Sequence, residues 1–325
     1  MMLGKLRRYK KVYLAIALVV IFMMATACSC SSSNNDIRLG TGGEGGTYYE
    51  YGRKLSDIDS SITLKSTAGS EANLRLLDKG FVDAAIVQSD SVDITSMNCA
   101  ALTGLYTEAV QLVVRNDMGI NSINDLRGKR VSVGDAESGV VRNAQQLLLT
   151  AGMTFEDIIV SNMSFSAAAT ALKEGEIDAF FCTAGAPTEA VGEAIRSQKA
   201  NLIGFDDDIL SRLTNLYPGY NLCVIPAGTY EGQTSDVHTV GVRAIMVVDP
   251  KMNDETATRL INEIFENSSM LNSNIVTDDA IDANSAVMSV GIPFHPAAAN
   301  YLEQRGVKVA KWAGEKTKFV FGSQD

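Results

Sequence analysis

Residues 40–52 read GTGGEGGTYYEYG, and this stretch decides how the rest of the chain is read. A short apolar run at 37–39 leads into it and a helical pattern over 48–58 leaves it. Strand, glycine-rich loop, helix is the opening unit of an α/β fold. Glycines leave the backbone N–H groups of such a loop open to approach. The first amides of the following helix are ready donors to an anionic group. Residues 40–45 also match the dinucleotide fingerprint G-x-G-x-x-G in form. That fingerprint needs an acid about 20 residues on, at the end of the second strand, to hold a ribose. Here the second strand pattern, 62–66, ends in Lys65 and Ser66, and no G-K-[ST] follows the loop. A cradle for a small ligand remains, with a purely structural turn as the alternative.

Working outward, the unit repeats. Helical periodicity covers 70–79, 139–151, 167–174, 188–196 and 253–267. Strand patterns cover 84–88, 109–115, 130–134, 177–182 and 240–248. Such alternation predicts an α/β fold with largely parallel sheets. The apolar strands 111–115 and 240–248 read as connectors between two lobes, the arrangement of a hinged molecule. No internal repeat is evident in the sequence. The expected organisation is lobe 1 from 36–114 plus 241–325, discontinuous, and lobe 2 from 115–240.

The amino terminus gives the compartment. Lys5, Arg7, Arg8, Lys10 and Lys11 precede an uncharged run at 12–27, the n-region and h-region of a secretory signal. Sixteen uncharged residues fall short of the roughly 20 of a transmembrane helix. Ala25-Thr26-Ala27-Cys28, followed by a polar tether to residue 35, is similar to the bacterial lipoprotein signal, in which the cysteine becomes the lipidated first residue. Residues 1–27 are therefore expected to be a signal peptide and 28–35 a tether lipid-anchored through Cys28, with Cys30 a poorer second candidate. The globular part is then extracytoplasmic, at the outer face of the cytoplasmic membrane or in a periplasm. Removing five bases and no acid takes the net charge from −10 to −15. So acidic a body argues against nucleic acid, whose affinity rests on Lys and Arg meeting phosphates.

Cys99, Cys182 and Cys223 remain in the body, and the latter two sit in apolar runs as small hydrophobes. No disulfide framework is expected. The only histidines, His238 and His295, lack partners at ligand spacing, so no metal is expected. There is no G-x-S-x-G elbow and no HExxH motif, and no catalytic residue stands out.

Several polar residues fall where an α/β sheet binds ligands, beyond the carboxyl ends of strands. Gln88, Ser89 and Asp90 follow the strand 84–88. Ser70 and Asn73 open the helix 70–79, where either can simply cap or stabilise it. GDAESG at 134–139 places Ser138 and Gly139 between a strand and a helix, a second anion-friendly site. TAGAP at 183–187 leaves a strand with small residues that permit close approach. Of Tyr48 and Tyr49, one ring is expected to line a cleft and the other to fill core.

The runs GTGGEGGTYY, TAGSEANLRLL, FVDAAIVQSD, DLRGKRVSVGDAESG, EGEIDAFFCTAGAPTEAV, YPGYNLCVIPAGTYEGQ, TVGVRA and IPFHPAAANYL follow one another through residues 40–302. Together they resemble the TAXI-type solute receptors of tripartite ATP-independent periplasmic (TRAP) transporters. The resemblance implies a type II periplasmic-binding-protein fold, two α/β lobes with a ligand cleft between them. It also implies a monomeric receptor without cofactor or catalysis. Such a receptor captures a small organic anion or amino acid, typically glutamate, glutamine or 2-oxoglutarate. It then passes the ligand to TRAP-type membrane permease subunits. Carried over, lobe 1 contributes Gly43, Glu44, Thr47, Tyr48, Ser70, Asn73, Gln88 and Asp90. Lobe 2 contributes Ser138, Gly139, Thr183, Gly185 and Pro187. The chain departs from the family at Glu44, where a small residue is usual, and at Glu50, where proline is frequent. A sensing receptor of the same fold and an exported α/β enzyme are the alternatives.

Overall fold

A computed structural model describes residues 36–93, 98–276 and 281–313. The expected signal peptide, Cys28, Cys30 and the tether to residue 35 lie outside the described residues. The chain builds two βαβαβ units. The first is β1 (Ile37–Gly40), α1 (Thr47–Ile58), β2 (Ile62–Lys65), α2 (Ser70–Asp78) and β3 (Ala84–Gln88). The second begins after β4 (Ala100–Arg115). It comprises β5 (Arg130–Ser132), α3 (Gly139–Thr150), β6 (Ile159–Ser161), α4 (Phe165–Glu174) and β7 (Ala179–Ala184). There follow α5 (Glu189–Arg196), β8 (Ala200–Ile203), α6 (Asp207–Leu216) and β9 (Asn221–Ile225). The last elements are β10 (Val237–Val248), α7 (Asp254–Glu266), α8 (Ser268–Leu271) and α9 (Pro296–Glu303).

The sheet order is β2-β1-β3-β10-β4-β7-β5-β6, with β9 on β10 and β8 on β4. In each unit the first strand lies between the other two and pairs with both in parallel. The strand order therefore reverses at β1 and again at β5, and ligands of open α/β sheets bind at such switch points. Among the named strands of the described residues, only those within the units pair in parallel, which corrects the expectation of largely parallel sheets. Strands β4 and β10 pair antiparallel with each other, with β3 and with β7, and they join the units. Strand β4 also starts well before residue 109. The segment 100–108 carries Thr103, Gly104, Thr107 and Glu108, which hide its extended conformation from a hydrophobicity reading.

The units share a clamp. The Arg38 amide, Nε and Nη2 donate to the Asp83 carboxylate at 2.8, 2.9 and 2.7 Å. The Arg130 amide, Nε and Nη2 donate to Asp178 at 2.8, 3.1 and 2.6 Å. Each ties the first strand of its unit to the turn entering the third. The sequence carries this as G-x-[VI]-D-A at 80–84 and again at 175–179, so a short repeat is present where none was expected.

Burial explains the elements. Helix α1 buries Tyr48, Tyr51, Gly52 and Leu55, one face of a 3.6-residue period. Strand β3 is buried along its whole length, as a central strand covered on both faces must be. One core cluster gathers Ile37, Leu39, Leu55, Leu74, Leu102, Tyr106, Ala244 and Ile261. Two others take Leu112, Val131, Leu147, Phe181 and Val242 on one face, and Ala109, Leu172, Phe180 and Val191 on the other. Adjacent Phe180 and Phe181 enter different clusters because successive strand side chains point to opposite faces. Near the carboxyl end, Phe294 bridges to Ala101 and Lys311, and His295 caps α9 while its Nε2 meets the Met252 carbonyl at 2.9 Å. IPFHP is therefore a packing element. Cys99, Cys182 and Cys223 are buried and carry no disulfide.

Candidate ligand-binding cleft

The loops leaving β1, β3, β5 and β7 converge on one cavity of about 60 Å³. With roughly 15 Å³ needed for one water, this space suits a small solute and little more. Gly43, Glu44, Thr47, Tyr48, Ser70, Gln88, Ser138, Gly139 and Thr183 line it, so nine of the thirteen expected positions come together. Asn73, Asp90, Gly185 and Pro187 are not in its wall. Glu108, Asp135, Ser164 and Phe165, which the sequence reading did not select, are.

Three helix amino termini meet here. The N-cap and first residue of α1 (Gly46, Thr47), of α2 (Gly69, Ser70) and of α3 (Ser138, Gly139) all line the cavity. None of the three has a side-chain cap on its amides. Ser70 is the first helical residue rather than the cap, and its hydroxyl accepts from the Gln88 amide at 3.0 Å. Ser138 holds the cap position, but its hydroxyl donates to the Asp135 carbonyl at 2.7 Å. The positive ends of the helix dipoles and the first amides of these helices thus lie at the cavity, apart from the Ala72 amide of α2, which the Glu137 carbonyl takes. A Cβ on Gly43 would meet nothing within 4 Å, so protein packing does not demand this glycine.

Gln88 and Thr183 stand eight residues beyond Gly80 and Gly175 of the repeated clamp. They are 2 % and 3 % exposed, and Gln88 Oε1 and Thr183 Oγ1 find no hydrogen-bond partner. Buried polar atoms are normally paired, and an orphan pair at equivalent places in one cavity points to a ligand.

The deepest ionisable group in the cavity wall is Glu108, 1 % exposed, at the point where β4 passes from one core to the next. Its Oε2 accepts from the Tyr48 hydroxyl at 2.8 Å, and Tyr48 in turn lies 3.4 Å from the Ser70 hydroxyl. Burial pushes the Glu108 carboxyl well above the usual carboxylate range; the Tyr48 hydrogen bond pulls it back, and the charge of Asp90 adds to the rise. Burial, then the neighbouring Glu108, likewise raises the Tyr48 phenol. Tyr48 is the ring in the wall; Tyr49 is half-buried and Tyr51 fills core. A signal for Glu108 was present: it is the lone charge in the run 100–114.

The remaining expected residues have other places. Asn73 is fully buried; its Nδ2 donates to the Thr41 and Ile86 carbonyls, both at 2.8 Å, and its Oδ1 accepts from the Thr67 hydroxyl at 2.8 Å. Asp90 accepts from Asn143 Nδ2 at 3.1 Å, and Asn143 also reaches the Tyr220 hydroxyl at 2.6 Å. Burial lifts the Asp90 carboxyl to about 6, against the charge of Arg142 and the Asn143 hydrogen bond. The Gly185 carbonyl accepts from Thr47 Oγ1 at 3.1 Å, and Pro187 lies beyond it on the surface of a second cavity.

The two walls are also bonded to each other. Ser166 Oγ donates to the Glu44 carbonyl at 3.2 Å, and the Ala72 amide to the Glu137 carbonyl at 3.1 Å. Arg75 pairs with Glu137 at 2.6 Å and Arg142 with Glu71 at 2.8 Å, a charge-reversed couple across the cleft. The cleft is closed in this structure. Among the described residues no His/Cys/Asp/Glu cluster could hold a metal.

Comparison with known proteins agrees with this architecture. The chain matches the NMT1-like family over residues 39–306 and belongs to it. It is similar in structure to a protein from Bordetella bronchiseptica RB50, at 16 % identity over 81 % of this chain and 92 % of that one, with a TM-score of 0.53. It is also similar to full-length BenM, at 12 % identity over 84 % and 79 % of the two chains and a TM-score of 0.50. The alkanesulfonate-binding protein SsuA from Xanthomonas axonopodis pv. citri aligns at 12 % identity over 83 % of each chain, with a TM-score of 0.44. Likeness at such identity is one of fold. The fold is mixed α/β, of the two-lobed type II periplasmic-binding-protein kind.

Proposed function

We propose that this member of the NMT1-like family is an extracytoplasmic solute receptor that encloses a small organic solute between two lobes and delivers it to a membrane permease. The observation that carries the reading is the cavity at the two switch points, with Gln88 Oε1 and Thr183 Oγ1 buried in its walls without partners. A polar atom left unsatisfied inside a protein costs about 1–3 kcal/mol, which a ligand donor would recover. The three uncapped helix ends suit a carboxylate. Lobe 1 is taken as 36–114 plus 241–325 and lobe 2 as 115–240, with β4 and β10 as the hinge. Support for these strands as the hinge is that the core changes cluster on both, between Tyr106 and Ala109 on β4 and between Val242 and Ala244 on β10, crossings that fall inside the sequence bounds of lobe 1 rather than at its edges. All thirteen residues named from the sequence serve the cleft in this proposal. Nine face the solute, whereas Asn73, Asp90, Gly185 and Pro187 support its walls or their closure.

The partner is taken to be a TRAP-type permease, on the resemblance of the ordered sequence runs to TAXI receptors. The anchor is lipid on Cys28. Ligand drives closure only through its higher affinity for the closed form. Thermal-shift screening against amino acids, hydroxy acids and dicarboxylates, followed by calorimetry on each hit, tests the capture step. Small-angle scattering should then report compaction on binding. Failure of every solute to shift melting or scattering would refute it.

A further inference from the structure

We propose that the cleft takes a small zwitterion, an amino acid, and that Glu108 is the group that receives its ammonium. This rests on the receptor reading above. The ionisable side chains in the cavity wall are Glu44, Glu108, Asp135 and Tyr48; no Lys, Arg or His is among its lining residues. A carboxylate can be held without a cation, because the uncapped starts of α1, α2 and α3 supply oriented N–H groups. A second carboxylate would have nowhere favourable to go. It would meet Glu44 at the rim or Glu108 at depth, and like charges in a dry site repel strongly.

The hydrogen bonds around Glu108 have a direction. The Gln88 amide donates to Ser70 Oγ, which leaves the Ser70 proton free for the Tyr48 oxygen. The Tyr48 proton then goes to Glu108 Oε2. Protons along this chain point toward Glu108, which makes it an acceptor. Among the described residues no lysine or arginine forms an ion pair with it. Its neighbours supply desolvation and negative charge, which is why its carboxyl is held above the usual range. In the empty cleft that environment favours the neutral acid; an ammonium from the ligand is the partner that would let the buried carboxylate carry its charge. Gln88 Oε1 and Thr183 Oγ1, unpartnered and over nine-tenths buried, supply further acceptors in the same cavity. An ammonium with three donors suits such a set.

The test compares matched pairs on the wild-type protein. The common amino acids and simple mono- and dicarboxylates are screened by thermal shift. Each amino acid that binds is then set by calorimetry against its deaminated hydroxy or oxo acid, for example L-alanine against L-lactate or L-glutamate against 2-oxoglutarate. The expected result is a preference of at least tenfold for the ammonium-bearing member. Glu108→Gln keeps an acceptor for Tyr48 and removes the charge; it should bring the two members within about twofold of each other. Equal binding of both members by the wild type, binding of carboxylates alone, or a preference that survives in Glu108→Gln overturns the assignment while leaving the receptor reading intact. Absence of binding by every solute overturns the receptor reading, and this inference with it. The wild-type comparison decides even if the variant does not fold.

Discussion

Asn73→Ala separates a ligand contact from a structural clamp. The side chain is fully buried and outside the cavity wall. It donates to the carbonyls of Thr41 and Ile86 and accepts from Thr67 Oγ1, all at 2.8 Å. Three hydrogen bonds at roughly 0.5–1.5 kcal/mol each set a loss of about 1.5–4.5 kcal/mol. Once Asn73 Oδ1 is gone, the single Thr67 hydroxyl proton can turn to the Thr41 carbonyl 2.6 Å away, which holds the figure below that for two orphaned carbonyls. The truncated amide also leaves a void against Gly40, whose position would put a Cβ 2.8 Å from Asn73 Oδ1. A total near 3 kcal/mol is a large part of the ~5–15 kcal/mol that stabilises a domain. At about 2–4 °C per kcal/mol for a chain of this size, melting should fall by roughly 6–12 °C. Calorimetric affinity for the best solute, measured well below the new melting point, should change by less than about threefold. Unchanged melting together with lost binding would refute the clamp and return Asn73 to the ligand.

Three further outcomes follow from the closed cleft. Asp90, lifted to about 6 by burial, binds a proton in the closed form that an open, solvated carboxylate releases nearer 4. Its contribution to closure is therefore present at low pH and lost as pH rises through 6, a change of order tenfold in the closed-to-open ratio between pH 5 and 7.5. Scattering of the ligand-free protein should show this. Asp90→Asn should remove the component while leaving any shared with Glu108, and an identical pH profile in both proteins would exclude Asp90. Gly43→Val points into open space and should shift melting by under about 0.5 kcal/mol equivalent. Its added carbons enter a cavity of only about 60 Å³, so solute affinity should drop tenfold or more; retained affinity would place the solute elsewhere. The half-exposed pairs Arg75–Glu137 and Arg142–Glu71 are worth about 0.2–1 kcal/mol each. Solute affinity should weaken severalfold from 0.05 to 0.5 M salt as screening rises, and the double variant Glu71→Gln, Glu137→Gln should be insensitive to salt.

What the sequence showed and what it hid follows from the range of each interaction. Each βαβ unit is local, so the apolar runs at 37–39 and 84–88 and the helix 48–58 were legible from periodicity. The joining strands were not. Strand β4 from residue 100 is extended because β10 pairs with it, and its Gly104 is needed because a Cβ there would lie 3.1 Å from the Ala286 carbonyl. Neither partner is near in sequence. The clamp repeat is short, and its identical residues, Gly80, Asp83 and Ala84 against Gly175, Asp178 and Ala179, are common types. It becomes evident once Arg38 and Arg130 are seen making the same bonds.

The same limit sorts the candidate site. Ser70 and Asn73 lie three residues apart on one buried face of α2, so local reasoning gave them one role. One helical turn is about 5.4 Å, and that depth carries Asn73 past the cavity into the strand ends while Ser70 stays in the wall. Gln88 ends β3 and faces the solute space; Asp90, two residues on, reaches across to Asn143. Glu44 and Glu108 invert their apparent importance in the same way. Glu44 stands in the most conspicuous stretch of the chain and is exposed, whereas Glu108 sits inside an apolar strand and is 1 % exposed. A charge acts most strongly where water is excluded, so the ligand's cation is selected by the buried acid. Glu44 at the rim acts through solvent and salt. The discrimination between a zwitterion and a dicarboxylate should therefore follow Glu108→Gln far more than any change at Glu44.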